Sequence, residues 1–314
     1  MEERIGLLFP GQGSQAVGMG KELAERYPEA REAFEEADDA LGFSLSRLCW
    51  EGPEDELTRT RNAQPALLVH SAAAWRVLKK AGVEPVVAAG HSLGEFSAYM
   101  AAGSLGFADA VRTVRLRGEL MYEFGQARPG TMAAVLGLDD DVVVGVCNEA
   151  SAGDSVVVAA NFNSPGQVVV SGDVDAVERA SALLVSAGAK KVTGLNVSGA
   201  FHSPLMAPAE EGLRAHLDGV GFGAPAFPVI SNVTASPVTD PAEAKLLLVQ
   251  QLTSTVRWTD SVRTMLQLGV TRFLEVGPGK VLTGMLKRID RAAEGRGVPL
   301  GTPDAIEAYL QQGG

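Results

Sequence analysis

Gly90-His91-Ser92-Leu93-Gly94 sets a serine between two glycines, in the spacing G-x-S-x-G, where the apolar run Pro85–Ala89 gives way to a helix-like stretch. A glycine on each side costs backbone entropy, and a plain turn needs only one. The pair lets the chain reverse sharply and leaves the hydroxyl exposed at the tip, as in a nucleophile elbow. Taken alone, the five residues fit equally a tight turn with an N-capping serine. A serine attacks well only when a base takes its proton and donors hold the developing oxyanion. The Leu93 N–H, at a helix N-terminus, suits the second task. A second donor is available after the first apolar run, Arg4–Phe9, in the loop PGQGSQ. There Gly11 and Gly13 let the Gln12 backbone come close to a ligand. If both runs are parallel strands, both loops leave carboxyl ends and face one crevice. Gly11-x-Gly13-x-x-Ala16 also fits a dinucleotide fingerprint, but that motif needs a βαβ unit of about 30 residues. The next strand-like run here lies near residue 86.

Four histidines compete for the role of base. His70 lies mid-helix, His216 sits among Glu211, Arg214 and Asp218 on a charged face, and His91 adjoins the serine and should point elsewhere. His202 lies in NVSGAFHSPLM, between a strand end and a helix start, and is the candidate. Arg117 stands out differently. Projected at 100° per residue, Ala110, Val114, Met121 and Phe124 share one face, with Arg117 in their midst. Arg112, Glu119 and Glu123 project to the opposite side. A buried guanidinium needs a partner. That partner is either a protein carboxylate, as an internal salt bridge, or a substrate carboxylate gripped by the arginine fork.

These residues need a frame. Residues 20–40 read as a charged amphipathic helix, and 65–80 as a helix with Pro65 in its first turn. Helices are expected over 93–102 and 107–124. From 131 to 198 the rhythm becomes β-α-β-β-α-β, the order of a ferredoxin-like unit. Then FPVISNV and TRFLEVG read as strands, with helices near 242–252, 257–268 and 280–290. This alternation predicts an α/β protein. It should consist of a large domain (1–127 and 199–314) with a mostly parallel sheet, and a small inserted α+β domain (128–198).

The 314 residues are 46% hydrophobic and 21% charged, with net charge −11. That suits a globular chain with a sizeable core. It speaks against nucleic acid as a partner, since no basic or aromatic-interleaved stripe is present. No apolar run approaches the roughly 20 residues of a membrane helix, and the start lacks a secretion pattern. Cytoplasm is the expected location. Cys49 and Cys147 give neither a disulfide framework nor a metal cluster.

FPGQGSQ, GHSLGE, Arg117, NFNSPGQVVVSG and NVSGAFHSPLM, in this order and spacing, resemble malonyl-CoA:acyl carrier protein transacylases and the related acyltransferase domains of polyketide synthases. The resemblance runs to about residue 290. It implies a hydrolase-like α/β domain with a ferredoxin-like insertion, and a ping-pong transfer of malonyl from coenzyme A to an acyl carrier protein. It further implies that Ser92 is the nucleophile, His202 the base, and Gln12 and Leu93 the oxyanion amides. Arg117 would bind the malonyl carboxylate, and the backbone carbonyl of Gln251 would orient the histidine. Asn163 and Val281 would line the site. No tightly bound cofactor or metal is implied, and a monomer is expected. Phe201 and Leu93 look malonyl-type rather than methylmalonyl-type. A trans-acting polyketide acyltransferase would look much the same. A serine thioesterase and a catalytically silent docking module are the remaining alternatives. Since carrier proteins are usually acidic, a chain of net charge −11 needs a local basic patch to dock one. Lys190-Lys191 and Lys287-Arg288 are the candidates, expected on opposite lips of the cleft.

Overall fold

The computed structural model describes residues 3–312, so the outermost ends of the expected large domain, 1–2 and 313–314, lie outside the described residues. Ten strands are present among them: β1 (Ile5–Phe9), β2 (Pro85–Gly90), β3 (Gly130–Leu136), β4 (Val157–Ser164), β5 (Gln167–Asp173), β6 (Lys191–Gly194), β7 (Val229–Ile230), β8 (Pro237–Val238), β9 (Arg272–Glu275) and β10 (Gly297–Pro299). Six form one sheet in the order β10-β9-β1-β2-β7-β8, and four form a second in the order β4-β5-β3-β6.

The large sheet is parallel except for β8, which runs antiparallel to β7. Its strands are apolar on both faces, as helix-covered parallel strands must be. Ile5, Leu7 and Phe9 face one core, with Ala88, Val229 and Leu274. Leu8, Val87, Ala89, Ile230 and Phe273 face the other, which helices Trp258–Gln267 and Val281–Ile289 close.

The second sheet is antiparallel. Its order, with the first strand between the third and fourth, is that of a ferredoxin-like unit. Ala133, Val135, Val168 and Val170 pack under helices Asp140–Ala150 and Val174–Ser186. Met132, Ala160 and Val169, on the other face, join the main core. The small sheet thus forms one wall of the space above the large one. Edge strand β4 is also stitched to the chain following Gln251: Val256 N–H donates to Ala160 O (2.8 Å), and Phe162 N–H donates to Val256 O (3.0 Å). Two hydroxyls reinforce the seam, Thr255 to Ala159 O and Thr259 to Phe162 O.

Two elements differ from the expectation. The helix expected over 20–40 is two, Lys21–Arg26 and Pro28–Leu41. Pro28 forces Tyr27 into an extended conformation and then opens the second helix at its first position. The helix expected from 65 instead runs Thr60–Lys80, with Pro65 inside it. The N–H that proline lacks would have served Arg61 O. Arg115 Nη1 donates to that carbonyl instead, at 3.1 Å, so the interior proline leaves no orphan.

Candidate active site

The elbow forms at the end of β2. Ser92 has φ 51°, a left-handed conformation that costs a non-glycine residue energy, and among the described residues only His202 (φ 57°) and Ala235 (φ 54°) share it outside glycine. The flanking glycines are required sterically. A Cβ on Gly90 would lie 1.8 Å from the Gly94 carbonyl carbon, and one on Gly94 would lie 2.1 Å from Phe9 O. Asn232, buried in the loop after β7, holds the strained turn. Its Oδ1 accepts from Ser92 N–H (2.7 Å), and its Nδ2 donates to Gly90 O (2.7 Å).

His202 Nε2 lies 2.7 Å from Ser92 Oγ, and its Nδ1 lies 2.8 Å from Gln251 O. A carbonyl can only accept, so Nδ1 carries the proton and Nε2 offers its lone pair to the serine hydroxyl. Burial, and next the Arg117 charge, push the imidazole down to about 3. The imidazole therefore stands neutral, its Nε2 lone pair toward Ser92 Oγ, at any ordinary pH. With a carbonyl rather than a carboxylate behind it, this is a Ser–His pair that needs no aspartate.

Helix Phe107–Ala127 carries Arg117 into the core as its apolar stripe requires, and the side chain is 1% exposed. Nη1 donates to Gln64 Oε1 (2.8 Å), and Nη2 donates to Gln251 Oε1 (2.9 Å) and Ser92 Oγ (3.1 Å). All three partners are neutral, and among the described residues no carboxylate forms an ion pair with it. The internal salt bridge weighed from sequence is absent. Burial lowers the guanidinium to about 10, with Glu95 opposing at longer range, so it remains a cation at neutral pH. Three of its five N–H groups are engaged, and Nε is buried without a partner.

These groups border one cavity of about 330 Å³ between the sheets, lined also by Gln12, Leu93, Met121, Met132, Val169 and Phe201. The backbone amides of Gln12 and Leu93 stand at the ends of adjacent parallel strands β1 and β2, and among the described residues neither meets a protein acceptor. They are free to hold an oxyanion. The arrangement joins a strained serine, a neutral base, two open amides and an uncompensated cation. It suits acyl chemistry on a carbonyl compound that carries a negative group.

Other expectations fare differently. Asn163 lines the cavity and accepts from His91 Nε2 at 2.8 Å. Val281 does not line it and lies 48% exposed at the start of its helix. Of the basic candidates, Lys190, Lys191, Lys287 and Arg288 are all exposed, and none borders the cavity. They do not sit on opposite lips. Arg288 Nη1 donates to Gln167 Oε1 (3.1 Å), Gln167 pairs with Leu136, and Leu136 pairs with Lys191. Two strand spacings, about 10 Å, thus separate Gln167 from Lys191. Arg288, from helix Val281–Ile289, thus reaches the end of the small sheet that carries Lys190 and Lys191, because the hairpin of β4 and β5 ends there.

Sequence reasoning missed Gln64, Glu95 and Asn232, and sent His91 away from a cavity it in fact lines. Glu95 stood in plain view after the elbow glycine. A carboxylate in the first turn of a helix reads as ordinary dipole compensation, and this one is fully buried.

A parallel α/β sheet with a nucleophile elbow, a Ser–His pair and two open amides defines a serine-dependent acyl-transferring or acyl-hydrolysing enzyme. Residues 7–299 match the acyl transferase domain, and the chain belongs to that family. It is 47% identical over 308 residues to the malonyl CoA-acyl carrier protein transacylase of Bacillus subtilis, covering 98% of this chain and 96% of that one. The crystal structure of malonyl-CoA:acyl carrier protein transacylase from Xanthomonas oryzae superposes with TM-score 0.95 at 46% identity, over 99% of each chain. A malonyl-transacylase solved in complex with a type II polyketide acyl-carrier protein superposes with TM-score 0.93 at 41% identity, over 99% of this chain and 100% of that one.

Proposed function

We propose that this acyltransferase moves a malonyl group from malonyl-CoA to the phosphopantetheine thiol of an acyl carrier protein, through a malonyl ester of Ser92. The observation that carries the reading is Arg117, a buried cation that no carboxylate pairs with among the described residues and that touches the nucleophile itself. It supplies what a malonyl carboxylate needs, and an uncharged acyl group would leave it unpaired. Residues 1–127 with 199–314 act as the catalytic unit, and 128–198 as the wall that closes the acyl cavity.

Ser92 Oγ attacks the thioester carbonyl while its proton passes to His202 Nε2. The carbonyl oxygen becomes an oxyanion held by the amides of Gln12 and Leu93. As the tetrahedral centre collapses, the C–S bond breaks and the coenzyme A sulfur takes the proton from His202. In the second half-reaction His202 takes the carrier thiol's proton, the thiolate attacks the ester, and Ser92 recovers its proton as the C–O bond breaks. The chain's own groups supply every proton transfer.

Intact-protein mass spectrometry tests the reading. Malonyl-CoA should add one malonyl mass, and a carrier protein should remove it. Acetyl-CoA should label far more slowly. Equal labelling by both refutes the malonyl assignment, and discharge to water as fast as to the carrier refutes transfer in favour of a thioesterase. The carrier serves fatty-acid or polyketide synthesis, and the polyketide complex among the structural relatives supports testing both.

The basic patch at the end of the small sheet is the proposed dock for an acidic carrier. It lies four residues along β3 from cavity residue Met132, about 13 Å, a gap the phosphopantetheine arm must span. Reversing the charges of Lys190, Lys191, Lys287 and Arg288 should slow carrier transfer about tenfold at low salt and flatten its salt dependence. Acylation by malonyl-CoA should change less. An unchanged rate and salt slope for carrier transfer places the dock elsewhere.

A further inference from the structure

Glu95 is a buried carboxylate that the transfer steps do not use. Its side chain is fully enclosed, no cation pairs with it among the described residues, and Oε1 has no hydrogen-bond partner. Oε2 accepts from Asn232 N–H (3.1 Å) and from Gln251 Nε2 (2.6 Å). Burial raises its pKa to about 7, against the pull of these donors and of Arg117. Such a group is costly in an apolar setting, and its hydrogen bonds show what it holds.

Gln251 joins the two halves of the site. Its backbone oxygen anchors His202, and its side-chain oxygen receives Arg117 Nη2. An amide has two orientations, and this one is decided by its surroundings. Nε2 faces Glu95 Oε2, Ser92 O (3.0 Å) and Asn232 Oδ1 (3.4 Å), all acceptors. Turned over, the amide would set its oxygen against those acceptors and its N–H₂ against the guanidinium. The shortest of the three contacts is the one to Glu95.

We propose that Glu95 is a positioning residue for acyl selectivity: by locking the Gln251 amide with its oxygen toward Arg117, it fixes the angle at which the guanidinium meets the acyl carboxylate. Glu95 touches no substrate atom. Its influence on malonyl passes through Gln251 to Arg117, whereas an acetyl group, with no carboxylate, is indifferent to it. The proposal rests on the malonyl-transfer reading above. Wild-type preference for malonyl over acetyl, measured first, tests that reading before any variant is made.

The experiment compares Glu95→Gln, Gln251→Leu and the double variant. It measures the single-turnover rate and half-saturating concentration of Ser92 acylation for malonyl-CoA and acetyl-CoA, alongside thermal unfolding. A glutamine at 95 keeps the shape but can donate as well as accept, so the Gln251 amide loses its shortest anchor and is held on that side only by Ser92 O and Asn232 Oδ1. The malonyl-to-acetyl rate ratio should fall about tenfold, inside the roughly 100-fold that a 1 Å misplacement can cost. The loss should lie in the malonyl rate, with acetylation within about threefold of wild type. Gln251→Leu, which removes the amide from the other end, should lower the ratio equally, and adding Glu95→Gln to it should lower it no further. If Glu95→Gln fails to fold, Glu95→Asp, which keeps the carboxylate but draws it back from Gln251 Nε2, carries the same test. An unchanged ratio, or equal slowing of both acyl groups, overturns the proposal and leaves Glu95 a support of the elbow. Additive losses in the double variant overturn the route through Gln251.

Discussion

Replacing Arg117 by alanine separates carboxylate recognition from catalysis at the same serine. The guanidinium offers a malonyl carboxylate the N–H groups it does not spend on Gln64, Gln251 and Ser92. A hydrogen bond to a charged group is worth about 1.5–3 kcal/mol. Losing even one from the transition state slows malonyl transfer about 10- to 150-fold. The acetyl reaction feels the opposite change. Arg117 is the second-largest influence holding His202 down, so its removal leaves a more basic imidazole beside Ser92. Acetylation should therefore hold steady or rise, and the malonyl-to-acetyl ratio should drop by at least about tenfold. Quenched-flow acylation with each thioester, read by intact mass, measures both rates on one protein. An unchanged ratio refutes the argument, because Arg117 would then serve only to tie Gln64 and Gln251 together. A parallel collapse of both rates would assign its chief role to Ser92 Oγ.

Ser92→Ala should abolish the malonyl adduct, and His202→Ala should slow acylation by about 10²–10⁴ with the melting curve preserved; a normal adduct on either protein removes that residue from the mechanism. Gly94→Ala drives a methyl against Phe9 O, where a Cβ would lie at 2.1 Å, and should cost about 3 kcal/mol or more; a melting temperature equal to wild type shows the elbow has slack. His70, buried with Nε2 on Gly301 O, is pushed by burial from 6.5 to about 4. The unfolded chain takes up that proton below pH 6.5 and the folded one only near 4, so falling pH drains stability across this window, by about 3 kcal/mol at most. His70→Gln keeps a donor for Gly301 and cannot titrate; its denaturant midpoint should fall less between pH 6.5 and 4, and an identical slope refutes the assignment.

The groups that meet in the cavity were legible because each breaks a local rule. Two glycines around one serine exceed what a turn needs, and an arginine interrupts an apolar stripe. A histidine sits among small residues at a strand end. The supporting polar groups break no such rule. Gln64 precedes a proline that reads as a helix start, so it falls in an expected loop. The helix in fact begins at Thr60 because Arg115 satisfies the carbonyl that Pro65 strands. Asn232 lies within FPVISNV, a run that reads as a seven-residue strand. Only Val229–Ile230 are strand, and the chain then turns so that the Asn232 side chain reaches the elbow. The basic pairs were seen but misplaced, since which strand ends meet is decided by sheet order, which spacing along the chain does not encode.

The seam between β4 and the residues after Gln251 bears on any attempt to recombine this enzyme with its relatives. The insertion leaves and rejoins the large unit through two nearby strand ends, and on that view it is a replaceable cassette for changing acyl preference. The seam makes it otherwise. A foreign β4 must reproduce main-chain partners for Val256, acceptors for Thr255 and Thr259, and an acceptor for His91 where Asn163 stands. The backbone it borders runs five residues back from Val256 to the carbonyl that orients His202. A chimera spliced at the cassette's two ends therefore disturbs the base even when every catalytic side chain is retained, and the sound exchange unit includes residues 251–259 with the insertion.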